Sequence, residues 1–135
     1  MKKNLFNFLY ILVAVAVLGL AVYKFLYNKQ STLSFNPDKF EEMSKEPGAV
    51  LIDVRSAFEF RGDKISGAGN ISFSASDFKE RVQVLDKEKT YLLYCQTGNR
   101  SLMAARTMKE MGFNKVYSLR GGIENWKHLN KPVVR

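Results

Sequence analysis

The sequence contains one cysteine and one histidine in 135 residues, and no acidic residue in its first thirty positions. It has no internal repeat and no low-complexity tract. A single cysteine excludes an intramolecular disulfide framework, and with one histidine beside it a Cys/His structural zinc site is excluded too. No cysteine follows the N-terminal apolar stretch directly, which excludes lipoprotein processing. The missing acids shape the charge distribution. Of the 21 basic residues, Lys2, Lys3, Lys24 and Lys29 fall within residues 1–30, leaving 17 against all 13 acidic residues in 31–135, so half of the net +8 belongs to the first thirty residues. The remaining basic residues are scattered and interleaved with acids, a pattern that argues against a nucleic-acid partner. The length suits one domain of ordinary size, and no second domain is evident.

What is present begins with a long apolar run. From Leu5 to Tyr23 the chain reads LFNFLYILVAVAVLGLAVY, with Asn7 its one polar side chain. A helix over residues 5–23 rises about 28 Å at ~1.5 Å per residue, close to the ~30 Å hydrocarbon core of a bilayer. Lys2 and Lys3 precede the run, and Tyr23, Lys24, Phe25, Tyr27 and Lys29 follow it as interfacial aromatics and snorkelling cations. A cleaved signal peptide has an apolar region of about 7–15 residues ending at a small-x-small site. Gly19-Leu20-Ala21 offers such a site, but the run is longer and continues into the aromatic belt. Residues 1–30 are therefore expected to form an uncleaved, single-pass anchor, in the inner (cytoplasmic) membrane if the source is bacterial. Lys2, Lys3 and the terminal amine balance Lys24, Lys29 and Lys39, so the positive-inside rule assigns no side to the remainder.

Residues 31–135 read as one small α/β domain. After a polar link from Asn28 to Thr32, Leu33–Phe35 suggests a short strand. Asn36-Pro37-Asp38 then supplies an N-cap and a first-turn proline for a helix through Ser44. Pro47-Gly48 ends that segment. Ala49–Val54 and Thr90–Tyr94 are continuous apolar runs, as expected for strands buried on both faces of a parallel sheet. Asn70–Ser72 is a shorter strand candidate. Ser74 or Ser76 is expected to cap a helix carrying Phe78, Val82 and Leu85 on one face. Arg100–Met111 reads as a helix with Leu102, Ala105, Met108 and Met111 inward, stopped at Gly112. Lys115–Leu119 is a strand, and Gly121-Gly122 leads into a last helical turn around Ile123 and Trp126. Alternating strands and helices imply a parallel β-sheet with helices on both faces. Trp126 and the phenylalanines at 58, 60, 73, 78 and 113 are assigned to packing.

The chemistry is concentrated in Tyr94-Cys95-Gln96-Thr97-Gly98-Asn99-Arg100-Ser101, where a buried strand ends at a cysteine and a helix starts within six residues. At the carboxyl end of a parallel strand such a loop can turn its backbone N–H groups inward as an anion nest. Gly98 supplies a permissive φ, and the helix N-terminus adds partial positive charge. Arg100 contributes a full charge and a planar fork. These features favour the thiolate, which is the nucleophilic form.

Four ordered blocks carry a resemblance to the rhodanese-type sulfurtransferase domain, over about residues 33 to 133. Val50-Leu51-Ile52-Asp53-Val54-Arg55 with Glu59-Phe60 is similar to its opening motif. Ile65-Ser66-Gly67-Ala68-Gly69-Asn70-Ile71 is similar to its second, and Cys95 to Ser101 to its active-site loop. Gly112-Phe113, Val116-Tyr117, Leu119, Gly121-Gly122-Ile123 and Trp126 are similar to its closing block. The resemblance implies a rhodanese-like α/β fold and a Cys95 that accepts sulfane sulfur as a persulfide. It implies that Gln96, Thr97, Gly98, Asn99 and Arg100 bind the substrate, with Arg100 helping to hold an anionic donor such as thiosulfate. Asp53, Arg55 and Ser101 are implied to support the loop. The acceptor is implied to be cyanide, a thiol or an acceptor protein, and neither a cofactor nor a metal is called for. The spacing C-x4-R is one residue shorter than the C-x5-R of phosphatases that share the fold, which favours sulfur over phosphoryl chemistry. No separate general base is needed when the nucleophile is already a thiolate, and His128 lies far downstream of the loop. A non-enzymatic, membrane-tethered interaction module on the same fold is the alternative. The chain departs from the family pattern at Asp63-Lys64, where many members have Gly-His, and this bears on donor preference.

Overall fold

Residues 2–31 and 33–135 are described by the computed structural model, in which the N-terminal helix and Leu33–Arg135 pack as separate units. Helix α1 (Lys2–Ser31) contains no proline, and its apolar side chains point outward along its length. Its Asn4–Asn28 stretch has a mean hydropathy of 2.6 and no buried share, so it is long and apolar enough to cross a membrane. The helix runs on through Ser31, where a polar link was expected from Asn28. Lys29 and Gln30 are good helix formers and nothing there breaks the hydrogen-bond ladder. The side chains of Lys2, Lys3 and Lys29, and Thr32 of the expected link, lie outside the described residues.

In the domain the order is β1 (Ser34–Phe35), α2 (Pro37–Ser44), β2 (Ala49–Asp53), α3 (Ala57–Phe60), β3 (Gly69–Asn70), α4 (Phe78–Gln83), β4 (Thr90–Tyr94), α5 (Asn99–Glu110), β5 (Lys115–Leu119) and α6 (Gly122–His128). The five strands form one parallel sheet in the order β1-β5-β4-β2-β3. Asn36 caps α2 as its side chain predicts, accepting the Lys39 N–H at 2.9 Å, with Pro37 in the first turn.

The pleat of β4 explains where the cysteine points. Tyr91, Leu93 and Cys95 face a core shared with Phe78 and Val82 of α4 and Ala104, Ala105 and Met108 of α5. Leu92 and Tyr94 face the opposite core, with Phe40 of α2 and Ile123 and Trp126 of α6. The two-residue period of a strand thus delivers Cys95 to the face that α5 covers.

Several expectations are corrected. Neither Ser74 nor Ser76 caps α4. The segment is wound into turns (Ala75 N–H to Ser72 C=O, Phe78 N–H to Ala75 C=O), and Asp77 takes the N-cap position without a side-chain bond. The α5 helix starts at Asn99 and buries Ser101, Ala104, Ala105 and Met108, leaving Leu102 half-buried. Ala105 and Met108 are buried as expected, and the small Ser101 and Ala104 take the inward place expected of Leu102. The strand expected at Asn70–Ser72 is Gly69–Asn70. Phe58 is not packed but 78% exposed, because α3 is only four residues long and turns Ala57 and Phe58 to solvent. Its ring instead lies beneath the Arg61 guanidinium at 5.5 Å.

Candidate active site

Cys95 follows directly on the last residue of β4 and is 1% exposed. Gly98, at φ 96°, turns the loop into α5, and that left-handed conformation is one a residue with Cβ adopts with difficulty. The turn brings three donors onto the sulfur. Cys95 Sγ accepts the Gly98 N–H at 3.1 Å, the Ser101 N–H at 3.4 Å and the Ser101 hydroxyl at 3.5 Å. Both amides belong to the first turn of α5 or its cap, where unpaired N–H groups carry partial positive charge.

Two of the loop's carbonyls point the other way, to α6. Cys95 C=O accepts the Ile123 N–H at 2.9 Å, and Gln96 C=O accepts the Glu124 N–H at 3.1 Å. This close approach explains Gly122 and Gly98. A Cβ on Gly122 falls 2.3 Å from the Gln96 carbonyl oxygen, at φ +63°, and one on Gly98 falls 3.0 Å from the Gly121 nitrogen. Carbonyls held outward and amides turned inward make a concave cradle at the sulfur that favours negative charge.

Two arginines flank the loop, and each is matched by a carboxylate. Arg55 is buried and grips the fully buried Asp53, with Nε at 3.0 Å and Nη2 at 2.7 Å from Asp53 Oδ2. Burial opposes the Arg55 charge, but the Asp53 hydrogen bonds and charge outweigh it and leave the guanidinium more firmly protonated than usual. Its remaining donors reach Gln96 Oε1 at 3.2 Å and the Asp63 carbonyl at 2.8 Å. Asn70 Nδ2 donates to the carbonyls of both Asp53 and Arg55 at 2.9 Å, bracing this corner from β3. Asp63, where the sequence departs from the family pattern, also holds Lys127 and Arg135 through its carboxylate.

Arg100 is engaged by a carboxylate. Its Nη1 and Nη2 donate to the two Glu59 oxygens at 2.9 and 2.8 Å. Glu59 in turn closes a capping box on α3, accepting the Ser56 N–H and hydroxyl while the Ser56 side chain accepts the Glu59 N–H. The Arg100 hydrogen bond, working against partial burial and helped by Ser56, lowers the Glu59 carboxyl to about 2. The same pairing raises the Arg100 guanidinium.

The expected residues therefore divide by position. Gly98 and Ser101 touch the sulfur, and Gln96 bridges Arg55 to Glu124 with its two amide ends. Thr97 and Asn99 are exposed at the outer rim, and Arg100 is bound to Glu59. Three residues that sequence reasoning gave no role also build the site. Glu59 is signalled by the Ser56-x-x-Glu59 capping pattern, which four helical residues without periodicity leave easy to overlook. Ser118 and Glu124 carry no local signal.

The chain is similar to known proteins over most of its length. The chain is 31% identical over 120 residues to the uncharacterised protein YqhL of Bacillus subtilis, covering 89% of this chain and 92% of that one. It is 37% identical over 86 residues to the thiosulfate sulfurtransferase GlpE of Coxiella burnetii, covering 64% of this chain and 78% of GlpE. Among solved structures, a rhodanese-related protein from Thermoplasma volcanium superposes with a TM-score of 0.66 at 33% identity, over 75% of this chain and 96% of that one. The model of the rhodanese-like domain matches residues 36–129, a span that takes in both arginine–carboxylate pairs, the cysteine loop and the double glycine that the loop packs against, and the chain belongs to the rhodanese-like domain family.

Proposed function

We propose that this protein is a membrane-anchored sulfurtransferase that carries sulfane sulfur on Cys95, from a donor such as thiosulfate to cyanide or a thiol. The observation that carries the proposal is the convergence of the Gly98 N–H, the Ser101 N–H and the Ser101 hydroxyl on Cys95 Sγ. Three donors aimed at one sulfur stabilise a thiolate and, after transfer, the negative charge of a persulfide. The thiolate attacks the outer sulfur of thiosulfate, the S–S bond breaks, and sulfite leaves with the electron pair. Cyanide or a thiolate then attacks the outer persulfide sulfur, and the Cys95 thiolate is restored. No group has to remove a proton from the nucleophile during either step.

Thr97 and Asn99 meet the incoming donor from the exposed rim. Arg100 acts by holding the start of α5 to Glu59, so the anion is met chiefly by loop amides rather than by an unpaired guanidinium. Asp53 and Arg55 brace the loop through Gln96. The likeness to the thiosulfate sulfurtransferase GlpE supports the reaction class. The outward apolar face of α1 supports the anchor.

Detergent-solubilised protein treated with thiosulfate is expected to gain the mass of one sulfur atom on Cys95 and to form thiocyanate with cyanide. Cys95→Ser is expected to lose both. Thiocyanate formation at the wild-type rate by Cys95→Ser, or no adduct with thiosulfate or an organic persulfide, overturns the proposal.

A further inference from the structure

Behind the cysteine two buried hydroxyls face each other between α5 and β5. Ser101 Oγ lies 2.8 Å from Ser118 Oγ, and both residues are 0% exposed. Ser101 Oγ also lies 3.5 Å from Cys95 Sγ and 3.2 Å from the Gly98 carbonyl oxygen. Each hydroxyl has one hydrogen to place. Among the described residues the Ser118 hydroxyl has a single partner, Ser101 Oγ, whereas the Ser101 hydroxyl has three.

The hydrogen inventory settles the direction. Were Ser101 to donate to Ser118, the Ser118 hydrogen would be left in the core without an acceptor, which is costly, and the sulfur would lose a donor. With Ser118 donating, its hydrogen is satisfied and the Ser101 hydrogen is released toward Sγ or the Gly98 carbonyl. That carbonyl already accepts the Leu102 N–H at 3.1 Å. A charged acceptor also forms the stronger bond, so the hydrogen goes to a thiolate when one is present.

We infer that Ser118 is a positioning residue for the nucleophile: it donates to Ser101 Oγ and thereby directs the Ser101 hydroxyl hydrogen onto the Cys95 thiolate. The inference rests on Cys95 acting as a thiolate, but its test requires no sulfur donor. A failure here therefore leaves the transfer assay standing, and a failed transfer assay leaves this test standing.

Cys95 is the only thiol in the chain, so alkylation of the full-length, detergent-solubilised protein by iodoacetamide reports on it alone. Ser118→Thr and Ser118→Val have the same shape and differ in the hydroxyl. Ser118→Val is expected to slow alkylation at neutral pH by about three- to tenfold and to move the pH–rate profile upward by about half to one unit, while Ser118→Thr stays near wild type. Arg100 with Glu59 and Arg55 with Asp53, the charged pairs beside the loop, are unchanged in both variants. In a Ser101→Ala background the Ser118→Val change is expected to add nothing, because the effect passes through Ser101. Equal profiles for the Thr and Val variants, or a Val effect undiminished in Ser101→Ala, overturn the inference. Should Ser118→Val not fold, Ser118→Ala against Ser118→Thr makes the same comparison.

Discussion

Leu12 in α1 and Leu93 in β4 are the same side chain in opposite surroundings, 51% exposed in one unit and 0% exposed in the other. The contrast extends along both units. The helix satisfies its backbone hydrogen bonds internally and turns its apolar side chains outward, which is stable where the surroundings are themselves apolar. The domain shares its backbone bonds among five strands and hides its apolar side chains in two cores, one on each face of the sheet. Hydrophobicity alone therefore does not say what a segment packs against.

The difference can be tested by making one change in both units. Leu93→Ala is expected to destabilise the domain by about 2–5 kcal/mol, read as a lower thermal midpoint from the fluorescence of Trp126, the single tryptophan. Leu12→Ala should leave that midpoint unchanged and weaken partition into vesicles instead. An equal fall in both variants would show that α1 packs as part of the domain core.

Glycines sharpen the contrast. Gly122→Ala forces a Cβ to within 2.3 Å of the Gln96 carbonyl oxygen at a positive φ. It should cost about 3 kcal/mol and abolish thiocyanate formation by displacing the loop. Gly19, with nothing within 4 Å of its would-be Cβ, should tolerate Ala and gain up to about 1 kcal/mol of helix propensity. Circular dichroism of α1 and the transfer assay distinguish the two substitutions.

The smallest expected effect concerns the Glu59–Arg100 pair, which is one-third exposed on each side. Its folded carboxyl titrates at about 2 against an ordinary 4.5, so the contribution is complete above pH 4.5 and is lost as pH falls through 2. Glu59→Gln should lower stability at pH 7 by about 1 kcal/mol or less. The gap from wild type should close between those two pH values. A constant gap across the acid range would remove the pair from the account of acid stability.

Much of the scaffold was legible from local signals. Thr90–Tyr94 and Lys115–Leu119 are strands with the expected bounds, and Asn36-Pro37 starts α2. The cysteine loop was legible because glycine, arginine and the strand end are all adjacent in the chain. Position in the chain failed where the partner is remote. The fork of Arg100 suggested an anion, but the carboxylate that occupies it is Glu59, forty-one residues earlier. Phe58 suggested packing, but α3 is too short to bury both of its faces.

By itself the sequence determined the two classes of apolar segment, the alternation of strands and helices, and the place of the lone cysteine at a strand end beside a glycine-containing loop, because periodicity, capping and loop spacing act over a few residues. Only the tertiary structure decided which carboxylate neutralises Arg100, why Gly122 cannot carry a side chain, and which hydroxyl stands behind Ser101. Each of those depends on atoms brought within about 3 Å by the parallel order of β2, β4 and β5. No short-range pattern encodes that order.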